Sequence, residues 1–470
     1  VGVTAVRDEQ YDFLVVGAGP AGEKAAAQAA YFGKRVAVVD RSPEPGGTMV
    51  AGAVSTKTMR EAALYLTGFT RHQVYGVGLD LNPEVLIDRL RSREAHVAAL
   101  MTEAVRENLR RHQIELVCGS ARLEADRTLH VTPLDGGPVR VLAGDAILLA
   151  PGSRPFHPPE VPFDDPDVLD SDTARELNRP LRNLVVVGGG AVACEYASIF
   201  LALGSEVTLV DRAPRLLTFL DAELSGILAD SFRSLGMRIL HETSVASVRR
   251  VYGEICVETA DGERIGAEKL IFAAGRTGET DGLELKKAGV ATDERGRILV
   301  DEHYETSVPR VFAAGDVIGP PGLASVSMEQ GRVATCFAMD IPFKSTVDPV
   351  TPSGVYTIPE CATVGLTEEA ARERGIDYAV GLAWFKDNSR AAIAGATDGA
   401  LKVVVDRGDR RVLGVHMVGE GATELIHQGQ TVIHFGGTID YFIHSTYDVP
   451  TVSDLYKYAA YDCLQRLASG

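Results

Sequence analysis

The stretch Tyr11–Ala30, YDFLVVGAGPAGEKAAAQAA, decides the fold. Its apolar run Phe13–Val16 reads as a buried parallel strand. The run breaks at Gly17, Gly19 and Gly22, then turns alanine-rich and helical. This is GxGxxG between a strand and a helix, the context in which the motif carries meaning. The first glycine permits a tight turn, the second lets backbone approach a pyrophosphate, and the third lets helix and strand pack closely. The helix N-terminus then offers free N–H groups to phosphate. The next apolar run, RVAVVD, ends in Asp40, placed to accept a hydrogen bond from a ribose hydroxyl.

The same pattern returns at Asn183–Phe200, NLVVVGGGAVACEYASIF, with Gly188, Gly190 and Ala193 in the three glycine places. The run EVTLVD ends in Asp211, and both Gly17 to Asp40 and Gly188 to Asp211 span 23 residues. A lone GxGxxG is often only a structural turn. Two copies with matched strand, helix and acid spacing are a repeat of a whole domain type, so two dinucleotides are expected.

The chain of 470 residues predicts roughly three domains. A formal charge of −17 argues against nucleic acid or an anionic membrane as partner. No run approaches the ~20 apolar residues of a membrane span. The N-terminus lacks signal-peptide order, and a start at Val1 reads as trimmed. Six scattered cysteines show no CxxC or CxxxxC spacing, which argues against a disulfide framework, a zinc site or a dithiol pair. A reduced, cytoplasmic protein without a metal is expected.

Further features point the same way. DAILLAPGSRP places Gly152 and Ser153 after a strand, and RVFAAGDVIG places Asp316 after another. With these the chain resembles the flavoprotein disulfide reductase superfamily along essentially its whole length. Within it, GSRPFHPP, CEYASIF, LLTFLDAELS, GRTGETDGL, GVYTIPE and PTVSDLYKYAA are most similar to the soluble pyridine nucleotide transhydrogenases. The resemblance implies an α/β fold with two Rossmann-like dinucleotide-binding domains and a C-terminal α+β dimerisation domain. It implies FAD in a discontinuous domain of residues 1–158 and 275–345, NAD(H) or NADP(H) in 159–274, and a homodimer interface in 346–470. FAD would meet Gly17, Gly19, Pro20, Gly22, Asp40, Arg41, Gly47, Thr48, Lys57, Ala121, Gly152, Asp316 and Ala324. The nicotinamide nucleotide would meet Gly188, Gly190, Ala193, Glu195, Asp211, Arg212 and Gly275.

The segment Pro45–Lys57, PGGTMVAGAVSTK, departs from the superfamily. Disulfide reductases carry two cysteines there; here Met49 or Val50 stands in the first place and Ala53 in the second, in what reads as a small-residue loop. Neither methionine nor alanine forms a thiolate, the species that exchanges disulfides. The His–Glu acid–base pair of the reductases is matched by Val449 and Asp454. His444 reads as a surface or packed residue, and Tyr447 is a poor base at an ordinary pKa of ~10. Lys57 and Glu195 match the paired lysine and acid beside the flavin, read as orienting nicotinamide against a background of ordinary salt bridges. Met49, Val50, Ala53, Tyr447, Val449 and Asp454 would line the substrate pocket, part of it supplied by the partner chain.

Hydride transfer needs stacked, oriented rings and no thiol. The expectation is therefore an FAD-dependent NAD(P)H oxidoreductase passing hydride to a second nicotinamide. A reductase or dehydrogenase of a small organic substrate or quinone is the alternative, and a flavin-binding scaffold without turnover a third reading. Asp211 favours NADH with NADPH tolerated, while Arg212 and Arg215 are either phosphate ligands or a solvated turn. Residues 92–112 show helical spacing, ALKVVVD and VLGVHMV read as strands, and Trp384 and Met417 as core.

Overall fold

The computed structural model describes residues 6–69, 74, 82–177 and 179–468. By contacts the chain divides into two compact units. The first comprises the residues up to Ser55, Glu94–Phe156 and Gly275–Asp348; the second comprises Thr56–Arg93, His157–Ala274 and the chain from Pro349 onward.

The first unit is built on a six-stranded sheet. Val6–Val16 lies parallel to Val36–Asp40 on one side and to Arg140–Leu149 on the other, with Phe13 opposite Val36 and Ala146. Glu115–Leu123 and Val311–Ala313 extend the parallel order at its two sides. Thr128–Pro133 pairs antiparallel with both Glu115–Leu123 and Arg140–Leu149. Phe13, Val15, Val38 and Leu148 are buried on one face with Ala21, Ala25 and Ala29 of the helix Pro20–Tyr31. The alanines that made this helix legible also let it pack closely, because a methyl side chain keeps helix and sheet near one another. The opposite face buries Leu14, Val39, Leu129 and Leu149. A strand hydrophobic on both faces is what a continuous apolar run means.

The second unit repeats the plan. A parallel sheet runs in the order Arg238–Leu240, Glu206–Val210, Asn183–Val187, Lys269–Phe272, Val168–Asp170. The helix Ala191–Ala202 follows Asn183–Val187 and is almost wholly buried. A separate antiparallel sheet, from Ser353–Val355 through Tyr378–Trp384, forms the C-terminal part. It includes Ala400–Asp406 and Val412–Val418 as expected, and Met417 is fully buried in its core.

Three expectations need correction. The segment taken as a loop is helical: Met49–Val54 forms a wide π-helical turn that continues directly into the helix Ser55–Thr67. Methionine and alanine favour helix, no proline interrupts the run, and the helix-forming stretch from Ser55 continues it. Trp384 is not core; its indole is 36% exposed and carries the Lys386 ammonium 5.1 Å from its centroid. The helix expected over 92–112 begins earlier, spanning Pro83–Arg111.

Candidate functional site

In the first unit the three glycines divide their tasks. A Cβ on Gly17 would fall 2.2 Å from Ala150 O, and one on Gly22 would fall 1.9 Å from Gly17 O. Real side chains do not tolerate such contacts, so both positions exist for close packing. A Cβ on Gly19 would meet nothing within 4 Å. Gly19 is therefore the place where backbone is left open to something other than protein, with the helix starting at Pro20. Asp40 closes the turn: its carboxylate accepts from the N–H of Ala18 at 2.6 Å and of Ser42 at 2.8 Å. Burial pushes its pKa up, and these two donors act in the opposite sense. Arg41 is exposed and pairs with Glu279 at 3.0 Å.

Further along the same unit, Asp316 starts a short helical turn after Val311–Ala313. Its carboxylate accepts from Ser153 Oγ at 3.0 Å and Ser327 Oγ at 3.4 Å, which ties the Gly152–Ser153 turn to the helix Ala324–Ala338. Gly152, like Gly19, faces open space. Gly47 and Thr48 are exposed beyond buried Gly46, and Ala121 lies in Glu115–Leu123. Open backbone at Gly19, a helix N-terminus and a carboxylate at the strand end fit a dinucleotide's pyrophosphate and ribose. Val50 is buried beneath Gly46, whereas Met49 and Ala53 are half-buried.

The second unit holds the other fingerprint. A Cβ on Gly188 would lie 2.7 Å from Ala273 O, while one on Gly190 would meet nothing within 4 Å. The third place carries a real Cβ, on fully buried Ala193. Asp211 follows Glu206–Val210 and is buried, and burial raises its pKa against donors from Ala213 and Arg212 N–H. Its carboxylate lies against the glycine turn, since a Cβ on Gly189 would fall 2.0 Å from Oδ2. Arg212 is exposed. Gly275, expected with this nucleotide, is grouped with the first unit.

Lys57 and Glu195 meet. Lys57 Nζ donates to Glu195 Oε1 at 2.8 Å and Oε2 at 2.7 Å. Thr56 Oγ1 donates to Oε2 at 3.2 Å, and the Tyr356 N–H donates to Oε1 at 2.9 Å. A carboxylate offers about four acceptor sites, so this buried one is fully satisfied. The Lys57 ammonium also lies 5.0 Å from the centroid of the Tyr356 ring. One turn along the same helix, Arg60 is buried and donates from Nε to Thr357 O at 3.0 Å. Its Nη2 lies 3.3 Å from Glu360. Tyr356, Thr357 and Glu360 all belong to GVYTIPE, a stretch quoted above without a role.

The remaining pocket residues are spread within this unit. Tyr447 is half-buried, accepts from Gln428 Nε2 at 2.7 Å, and has its pKa pushed up to about 12 by burial. Asp454 is buried and bound by Asn388 Nδ2 of the same chain, and burial raises its pKa. Val449 and His444 are exposed. Sequence reasoning missed His241, which the pairing of Asp211 N–H with Leu240 O brings to the edge beside Asp211. Burial and Arg233 depress its pKa while Asp211 opposes them, and its Nδ1 is buried without a hydrogen-bond partner among the described residues. Only the neighbouring strand end signals it.

Four cysteines are held as thiols by burial: Cys194, Cys336, Cys361, raised to about 12, and Cys463, raised to about 11. Among the described residues no group of three or more His, Cys, Asp or Glu forms a metal site, and no helix is long and apolar enough to cross a membrane.

Residues 11–331 match the family model described as pyridine nucleotide-disulphide oxidoreductase, and residues 351–460 match the dimerisation domain of that family. A soluble pyridine nucleotide transhydrogenase of Mycobacterium bovis is 38% identical over 97% of this chain and 98% of its own length. One from Ectopseudomonas mendocina is 38% identical over 97% and 99%. Among solved structures, the Cu(II) complex of the HOCl-induced flavoprotein disulfide reductase RclA of Escherichia coli superposes with a TM-score of 0.87 at 26% identity, covering 96% of this chain and 99% of that one. LpdA of Mycobacterium tuberculosis gives 0.86 at 25% identity with 96% and 99% covered.

Proposed function

Since this chain belongs to the pyridine nucleotide-disulphide oxidoreductase family, we propose that it moves hydride from one nicotinamide nucleotide to another through FAD, without a redox disulfide. The observation that carries this is a fully satisfied Lys57–Glu195 pair following a segment, Pro45–Thr56, that contains no cysteine. Bound flavin would supply the chemistry by accepting a hydride from one nicotinamide and returning it to a second. The chain's contribution is placement. Gly19 and Gly152 leave backbone open for FAD, with Asp40 and Asp316 as acceptors at the turns around it. Gly190 and Asp211 do the same for the nicotinamide nucleotide, with NADH favoured and NADPH tolerated, because buried Asp211 accepts ribose hydroxyls and disfavours a 2′-phosphate. Lys57, fixed by Glu195 and seated on Tyr356, orients the reacting rings, a task worth several orders of magnitude in rate. No proton changes hands in a transfer of hydride alone, so an exposed Val449 where the disulfide reductases have histidine is no obstacle. The similarity to two transhydrogenases at 38% identity supports the same reading, and the match of residues 351–460 to the family's dimerisation domain supports a homodimer.

The test is anaerobic. Protein reconstituted with FAD is given NADPH or NADH with thio-NAD⁺, and separately with quinones. Sustained transfer to thio-NAD⁺ is the expected outcome. Flavin reduction followed by transfer only to a quinone or another small acceptor would replace the proposal with the reductase reading. Absence of flavin reduction by both nucleotides would leave a scaffold. Lys57→Met should slow flavin reduction at least tenfold with FAD content unchanged; an unaltered rate would make the pair structural only.

A further inference from the structure

The loop that follows Asp211 is bound at both ends. Near its middle, the Leu217 N–H donates to Gly189 O at 2.8 Å, which fixes it to the glycine turn. At its far end Asp221 caps the helix Ala222–Ser234 and accepts Lys402 Nζ at 2.9 Å. Lys402 is 1% exposed and also meets Glu223 at 3.0 Å and Glu368 at 2.6 Å. Glu369, next to Glu368, accepts the Ala222 N–H at 3.1 Å through Oε1. The same oxygen lies 3.7 Å from Arg215 Nη1. Arg215 Nη2 donates to Thr218 O at 3.1 Å. Arg215 Nε and Glu369 Oε2 are both buried without hydrogen-bond partners among the described residues.

Arg215 is thus drawn toward the C-terminal part of the chain by a carboxylate that pairs with no lysine among the described residues. Lys402 is committed to Asp221, Glu223 and Glu368, which leaves the charge of Glu369 to act on Arg215. Of the two arginines after Asp211, Arg212 is exposed, while Arg215 is 34% exposed with its Nε buried. A ribose 2′-phosphate, with about two negative charges, would face buried Asp211 and one available guanidinium. We propose that Glu369 is a specificity-determining positioning residue: by holding Arg215 inward it keeps the second nucleotide site selective for a ribose without a 2′-phosphate. The proposal rests on the reading of Gly188–Asp211 as the nicotinamide nucleotide site.

Binding of ADP-ribose and of 2′-phospho-ADP-ribose is measured by calorimetry on the FAD-loaded protein. Glu369→Gln keeps an acceptor for the Ala222 N–H and removes the charge. It should tighten 2′-phospho-ADP-ribose about tenfold, the scale of one charge-assisted arginine–phosphate contact, and leave ADP-ribose within twofold. Arg215→Met added to Glu369→Gln should abolish that gain, whereas Arg215→Met alone should leave the affinity of the 2′-phosphate compound unchanged. A gain that persists without Arg215, an equal effect on both compounds, or a tenfold loss from Arg215→Met alone would overturn the proposal. Failure of the native protein to bind either compound would overturn the nucleotide-site reading itself, and this proposal with it.

Discussion

At Gly22 a Cβ would sit 1.9 Å from Gly17 O, whereas the equivalent position of the second fingerprint already carries one, on Ala193. The two acids differ in the same way. Asp40 closes its own turn by accepting Ala18 and Ser42 N–H. Asp211 instead crowds Gly189, so that in the second copy a Cβ is forbidden at the first glycine and at the residue after it, but not at the third place. Beyond the acid, the first copy is braced by exposed Arg41 on Glu279, and the second by Lys402 buried among carboxylates. Equal spacing therefore does not mean equal tolerance: what is constant is open backbone at the middle glycine, and the packing around it is solved separately in each unit.

The strongest way to break this comparison is at the braces. Lys402→Met leaves Asp221 buried without its ammonium partner and should cost about 3–5 kcal/mol in chemical denaturation, while Arg41→Ala, which removes an exposed guanidinium and leaves buried Glu279 with Arg154 at 3.7 Å, should cost about 1 kcal/mol. The same cluster sets a pH dependence. Burial works against ionised Asp221 and Glu368, but Lys402 holds both below the usual carboxylate range. Their contribution is complete above the unfolded values of about 4 and is lost as pH falls through the lower folded values. Acid unfolding of the native protein should steepen below about pH 4, and Lys402→Met should flatten it. Next, Gly22→Ala should cost about 3 kcal/mol and lower flavin content, the upper end of overpacking, whereas Ala193→Gly should cost about 1 kcal/mol with flavin retained. Equal losses at the two positions would erase the contrast. The smallest effect is expected at Gly189→Ala, which displaces Asp211: KM for NADH should rise several-fold with kcat for flavin reduction little changed.

What the sequence made legible follows from range. Glycine spacing, apolar runs and terminal acids are local: Val36–Asp40, Asn183–Val187 and Glu206–Val210 stand where those patterns place them, and Val6–Val16 ends where its apolar run does but starts seven residues before Phe13. Met49–Val54 differs because a run of small residues after a Gly-Gly pair suggests a loop, and nothing in such a run specifies a wide helical turn. Trp384 reads as core because hydrophobicity alone does not say that its ring stays partly exposed with the Lys386 ammonium beside it. Lys402 was invisible for a different reason. In ALKVVVD it looks like the polar residue of an alternating strand, and its carboxylates arrive from Asp221, Glu223 and Glu368, elements remote in the chain. Tyr356 and His241 are likewise brought to Glu195 and Asp211 only by tertiary structure.

The donor from Tyr356 to Glu195 is a main-chain N–H. Nineteen of the twenty amino acids supply that group equally well, and only proline removes it. The aromatic ring beneath Lys57 is thus free to vary in evolution while the acid stays aimed. Drift at position 356 can retune the surroundings of the lysine without disturbing the carboxylate that holds it.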